Sequence, residues 1–286
     1  MVSGEIIMSK MTAKQLKRSY KNTKIFQPES IEKWITVNDY LEFQWGYSGH
    51  LVGSVWYKLR FFEGVIFFSG ENVMDSYLLK ANLPIEDGTI YDLAIIDSGH
   101  IEKQINNFDV LEKMKDYISE NPTYPIIFPS SFSGKTADIA TYLFHHTVRE
   151  INIDKDFYSF FEDYYDSPEN VLPTMDEKIL RPFKKDCLRE RGECNNAILF
   201  VPEFDEWGIK KLLQDYPNAI VIFTGYLNKS GYLKKLVENE GRSKHFFYKT
   251  HLDYHDIMEF SEKMKATEII YFHSRYTNME TEDERV

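Results

Sequence analysis

Cysteine is scarce in this sequence: Cys187 and Cys194 are the two among 286 residues. Two thiols build neither a disulfide framework nor a cysteine-ligated zinc site, and they fit a reducing compartment. No apolar run approaches the roughly 18 residues of a membrane span. The opening MVSGEIIMSK lacks the basic-then-apolar layout of a secretory leader. A cytoplasmic location without a membrane partner is the expectation. Positive charge is short as well, with 34 Lys and Arg against 45 Asp and Glu, a formal net charge of -11. Such a field repels polyanions on average, so nucleic acid would need a local basic cleft or bound metal ions. Internal repeats and low-complexity linkers are missing too.

What the chain has is hydrophobic residues, 43% of the total, with 19 Tyr and 21 Phe. That composition describes a globular protein long enough for one large α/β domain or two smaller ones. Buried-strand patterns alternate with helical ones. GEIIMS leads into KMTAKQLKRSYKN, VWYKLRFFEGVIFFSG reads as two strands around a Glu63-Gly64 turn, and YDLAIIDSG is an apolar run ending in an acid. In NNFDVLEKMKDYISENP, Phe108, Leu111, Met114 and Ile118 recur at helical spacing and stop before Pro122. After an aromatic, acidic stretch from Glu150 to Cys194 the alternation resumes through AILFVP, NAIVIFTG and TEIIYFHS. An α/β fold follows, with strands covered on both faces and functional groups gathered at strand ends. The polar segment from Arg275 onward is expected to fray.

PIIFPSSFSGKTADIATYLFHH, residues 125–146, poses a nucleotide-binding question because it places Gly-Lys-Thr between a strand and a helix. A phosphate loop needs glycine five places before that Gly, where bare N–H groups curl around the phosphate. Pro129 stands there, and proline offers neither the freedom nor the donor. Elsewhere, polar residues close apolar runs: His50 in YSGHLVGS, Glu71 in FFSGEN, Asp97 in IIDSGH, His251 in YKTHLDYHD and His273 in IIYFHS. Each alone reads as a hydrogen-bonded structural residue. Together they point to a shared cleft of the His and carboxylate type that holds a catalytic zinc or manganese. The block FYSFFEDYYDSPEN reads as an acidic, aromatic surface, with base stacking as the alternative. His145 and His146 read as helix-end residues.

These segments in order resemble the metallo-β-lactamase fold with a β-CASP insertion, the family of ribonuclease J and the pre-mRNA 3′-end cleavage nuclease. SGHLVGSVWYKLRFFEGVIFFSGEN is similar to the family's Gly-His-x-x-Gly turn, hairpin and Ser/Thr-Gly-Asp strand end. YDLAIIDSGH resembles the acid-ended strand that opens the insertion, and PIIFPSSFSGKTADIATYL its Pro-Ala-Phe-x-x-Gly-Arg-x-Gln-Glu segment, with Pro129, Gly134, Lys135 and Asp138 in register. NAIVIFTGYLNKSGYLKKL and THLDYHDIMEFSEKMKATEIIYFHS are similar to the last strand of the insertion and the return. The resemblance implies an αββα sandwich, incomplete at its N-terminus, with an inserted β-CASP-like α/β cap. The implied division is 1–105 and 229–286 for the sandwich and 106–228 for the cap. It also makes the Gly-Lys turn a structural corner.

Carried over residue by residue, the resemblance implies His50, Glu71 and His273 as metal ligands, Glu71 standing where the family has a bridging Asp. His251 would contact the scissile phosphate and protonate the leaving group, oriented by Asp97. The family's His-x-His-x-Asp-His loop should precede GEIIMSKMTAKQL, and Met1 lies almost on top of that strand. THLDYHD has its own order, His251, Asp253, His255, and is read as a different motif. With four ligands absent, weak zinc or manganese binding is expected, with none held tightly. Two functions follow. One is a non-catalytic binding or scaffold subunit, associated with another chain or with itself because an incomplete sheet exposes an edge. The other is a metal-dependent phosphodiesterase acting on RNA, alone or completed by a second chain.

Overall fold

The computed structural model describes residues 6–16, 23–62, 64–84, 87–187, 196–226, 231, 235 and 243–273. Glu63, Cys194 and the tail from Arg275 lie outside them. The chain forms two units: Met1–Met74, Ala81–Gln104 and Thr250–Val286 make the first, Asp75–Lys80 and Ile105–Lys249 the second. Both are mixed α/β. No helix among the described residues is long and apolar enough to cross a membrane.

The first unit opens with β1 (Ile6–Ser9), α1 (Lys10–Leu16) and β2 (Thr23–Phe26), in which β1 and β2 pair in parallel. Five further strands follow: β3 (Ile35–Asn38), β4 (Leu41–Tyr47), β5 (Val55–Phe61), β6 (Gly64–Phe68) and β7 (Ile90–Asp97). On β4, Phe43, Trp45 and Tyr47 alternate onto one face, where Ile7 and Phe26 of the β1–β2 pair cover them. Gly46 faces the other way and lies opposite Trp56 in the β4–β5 ladder. A Cβ there would come to 2.5 Å from the indole, so glycine is what lets Trp56 lie flat across the strand.

The second unit is a parallel α/β layer. It runs through α2 (Asn107–Glu120), β8 (Ile126–Ser130), α3 (Gly134–His146), β9 (Ile151–Ile153), α4 (Tyr158–Tyr165), α5 (Arg181–Cys187), β10 (Ile198–Pro202), α6 (Glu206–Asp215), β11 (Ile220–Phe223) and β12 (Ser243–His245). The sheet order is β12-β11-β8-β10-β9, all parallel. Helix α2 begins at the Asn106 cap, which accepts the Asp109 N–H, and buries Leu111, Met114 and Ile118. Phe108, which shares their spacing, is exposed. Because β12 pairs with β11, the second unit reaches Lys249, twenty residues beyond the return expected at 229. Phe157, Phe160, Phe161 and Tyr164 of the aromatic stretch are buried. They form core, so the surface and base-stacking readings of that block do not hold for these four.

The chain then re-enters the first unit through α7 (Tyr254–Lys263) and β13 (Lys265–Phe272), giving the six-stranded order β13-β7-β6-β5-β4-β3. Helix α7 buries Ile257 and Phe260 against Trp56, Phe67, Tyr91 and Ala94, on the face opposite the β1–β2 pair.

Asp138 on α3 is a buried node of the second unit. It accepts from the Ser76 hydroxyl, the Tyr248 hydroxyl at 2.7 Å and the Leu78 N–H at 3.0 Å. Burial nevertheless outweighs these donors and pushes its carboxyl up to about 6. A folded-state value above the unfolded one means that stability is fully present below about pH 4 and is lost as pH rises through 6. Denaturant unfolding from pH 4.5 to pH 7.5 should show a loss of about 2 kcal/mol assignable to this group, and Asp138→Asn should flatten that dependence. Gly46→Ala should cost about 1–3 kcal/mol by overpacking Trp56, read as a lower denaturant midpoint at unchanged slope.

Candidate metal centre

Strand direction explains why distant residues meet. β4 is antiparallel to β5 and β5 to β6, whereas β6, β7 and β13 are parallel, so β4, β6, β7 and β13 run the same way. Their carboxyl ends share one edge of the sheet. There the chain places His50 after β4, Glu71 after β6, Asp97 as the last residue of β7 and His273 after β13. His251 arrives on the segment before α7, which pairs with the loop after β7 through the His100–Asp253 bridge and the His100 N–H to the Leu252 carbonyl.

Local backbone chemistry then aims each side chain. Gly49, with φ of 73°, bridges to Asn72, and a Cβ there would lie 2.2 Å from the Val73 carbonyl. That close approach sets the His50 and Glu71 loops side by side, with Nε2 of His50 2.9 Å from Oε2 of Glu71. Nδ1 of His50 donates to the Thr250 carbonyl at 2.7 Å. Burial opposes the His50 imidazolium, but the hydrogen bond and charge of Glu71 win and raise its pKa. In return the His50 hydrogen bond holds Glu71 down to about 2.

Asp97 is fully buried and is met by donors on both of its oxygens. Its Oδ2 accepts the Asn72 N–H at 3.0 Å and lies 3.0 Å from Nδ1 of His251. Its Oδ1 accepts the Gly99 N–H at 3.2 Å and lies 3.4 Å from Nδ1 of His273. His273 sits at φ of 70°, a left-handed conformation that costs a non-glycine residue on the order of 1 kcal/mol. Its Nε2 is 3.5 Å from Oε1 of Glu71, and its ring is 5.0 Å from that of His251, nearly perpendicular. Gly99 lies under His251, so that a Cβ there would be 2.6 Å from Cγ of the imidazole.

All five residues expected at the site therefore meet in the first unit, with Asp97 against His251 and Glu71 between His50 and His273, and His273 also approaches Asp97. Asp97, His251 and His273 each offer a ligand atom, all within 4.8 Å of one another, and this triad could hold a metal ion. Two nitrogens and an oxygen fit a borderline divalent cation with positions left open. Of the expected ligand set, His273 belongs to this triad, whereas His50 and Glu71 are paired with each other beside it. Asp253 and His255 take no part: Asp253 caps α7 by accepting the Asp256 N–H, and His255 is exposed.

One residue escaped the sequence reading. His100 is buried, its pKa lowered to about 4 by desolvation, and its Nδ1 accepts the Thr250 N–H at 3.3 Å. Its ring meets His251 edge-on at 5.0 Å. The signal was present in IIDSGH, three residues past Asp97, where an imidazole follows a buried acid.

Neither a protein-family model nor a curated protein matches the chain. The crystal structure of a protein of unknown function from Enterococcus faecalis is similar to it, with a TM-score of 0.62 and 11% identity over 95% of this chain and 70% of that one. At that identity the likeness speaks for a shared α/β fold alone.

Gly99→Ala should displace the His251 ring and break its bond to Asp97 while the His50–Glu71 pair stays. In proton NMR of histidine-labelled protein, the hydrogen-bonded Nδ1 proton of His251 should vanish and that of His50 should persist.

Proposed function

We propose that this protein is a metal-dependent phosphodiesterase of the metallo-β-lactamase and β-CASP kind, acting on RNA, with its cation held by Asp97, His251 and His273. The observation that carries the reading is the convergence of two imidazoles and a carboxylate, from three separate chain segments, to mutual ligand spacing. The ordered motifs around His50, Glu71, Asp97, His251 and His273 supply the substrate class. Zinc or manganese suits the donor set. Bound there, such an ion supplies Lewis acidity toward a phosphoryl oxygen and makes a water nucleophilic at neutral pH.

The chain's own residues do the rest. Asp97 holds Nδ1 of His251, fixing the ring and leaving Nε2 as the donor atom. Glu71, kept ionised by His50, is an acceptor able to orient an attacking water, and His50 is anchored in turn by the Thr250 carbonyl. A net charge of -11 works against loose RNA binding, so productive contact depends on the cation or on a second chain.

A second reading, a non-catalytic binding or scaffold subunit that associates with another protein chain or with itself, is favoured by one specific feature. The His50–Glu71 and His251–Asp97 pairs satisfy the cluster by hydrogen bonding without any ion. Calorimetric titration of zinc and manganese into the purified chain, followed by an assay on bis(p-nitrophenyl) phosphate and on single-stranded RNA, separates the two. The first reading expects one bound equivalent, weakened at least roughly tenfold by Asp97→Asn or His273→Ala, and hydrolysis lost in both variants. Cation binding without hydrolysis selects the scaffold. No cation binding at all removes the phosphodiesterase.

A further inference from the structure

The parallel sheet of the second unit carries a feature that the metal centre does not use. Strand β8 is central, with β10 on one side and β11 on the other. Its ladder with β10 runs the whole strand, to Ser130 opposite Pro202. Its ladder with β11 stops at Ile127 opposite Val221. Two residues later comes Pro129, which has no N–H to continue the β11 side, and the β8–β11 ladder does not extend to it. This is also the place where connections diverge. From β8 the chain leaves through α3 toward the β9 edge, and from β11 it leads to β12 at the opposite edge. Ligands of open parallel sheets bind outside the carboxyl ends at such a switch point.

At this end of the sheet the chain places a charge with no hydrogen-bonded or ion-paired partner among the described residues. Nζ of Lys135, from the loop–helix junction after β8, packs against Gly225 in the loop after β11, and a Cβ on Gly225 would come to 2.5 Å from it. His245 fixes that loop by donating from Nε2 to the Gly225 carbonyl at 2.8 Å. Among the described residues Lys135 makes no hydrogen bond and no ion pair. Burial lowers its pKa, with Glu203 acting in the opposite direction. Leaving an ammonium desolvated and unpaired is unfavourable, and an anion is what repays it. At the same edge, the loops after β8, β10 and β11 present Phe132, Phe204 and Tyr226, the last two 66% and 60% exposed. Phe132 and Phe204 are stacked, with centroids 5.9 Å apart. Exposed rings next to a fixed cation suit a phosphate joined to a planar base.

We propose that the carboxyl edge of this sheet binds a nucleoside monophosphate, its phosphate on the Lys135 amine between β8 and β11 and its base on the exposed rings of the flanking loops. The site is not a phosphate loop, because Pro129 lies within β8 and the turn contributes no run of bare glycines. Its residues belong to the second unit, whereas Asp97, His251 and His273 belong to the first.

Calorimetric titration of the full chain with adenosine monophosphate, ribose 5-phosphate and inorganic phosphate tests this. Saturable binding of the nucleotide is expected, weakened at least about tenfold by Lys135→Met and by Gly225→Ala, which keeps the charge but displaces it. His273→Ala should leave it unchanged, so failure here and failure of the metal reading are told apart. Circular dichroism melting checks that each variant folds, and Gly225→Ala carries the test where Lys135→Met does not. Absence of nucleotide binding, or equal binding by both variants, overturns the proposal. Ribose 5-phosphate binding as tightly as the nucleotide overturns the assignment of the rings.

Discussion

A single buried carboxylate organises the edge of the first unit's sheet where the candidate ligands meet. Asp97 ends β7 inside the protein, and its two oxygens collect the Asn72 and Gly99 N–H groups, Nδ1 of His251 and the approach of His273. A buried charge is tolerated only when donors surround it, so Asp97 obliges the loops after β6, β7 and β13 and the segment before α7 to converge. Asp97 is the group that touches both His251 and His273, while Glu71 and the β13–β7 ladder also position His273. The shared direction of β4, β6, β7 and β13 brings the chain to the place, and the carboxylate fixes the geometry.

Two kinds of close approach support it. Gly49 removes side-chain bulk where the Val73 carbonyl approaches and Gly99 where the His251 ring lies, and His273 accepts a left-handed backbone beside Asp97. His100 and His50 grip the Thr250 peptide from its N–H and its carbonyl, which orients the residue before His251 from both sides. These are costs and constraints concentrated within one cluster, the pattern expected of a site and not of an ordinary sheet edge.

Much of this was legible in the chain. Acids and imidazoles closing apolar runs announce strand ends, and His50, Glu71, Asp97, His251 and His273 all lie where those runs stop. The approach of His273 to Asp97 was not legible. Opposing Phe272 to Asp97 in the β13–β7 ladder puts His273 beside Asp97, and a register of that kind leaves no local mark in sequence. The return at Lys249 was hidden because β12 is a three-residue polar strand, Ser-Lys-His, with no apolar signal. The aromatic stretch misled for the opposite reason: its acids suggested a surface, whereas Phe157, Phe161 and Tyr164 turn inward from helical positions that the same acids flank. Lys135 illustrates a third limit. Pro129 argues against a phosphate loop in the sequence, yet only the unequal ladders of β8 show that pairing with β11 ends before that proline.

The most direct test of the metal centre is anomalous diffraction from crystals soaked in zinc or manganese, collected on both sides of the metal edge. The account predicts a peak within bonding distance of Asp97, His251 and His273 together. A peak ligated elsewhere, with these three side chains still hydrogen-bonded among themselves, would contradict it.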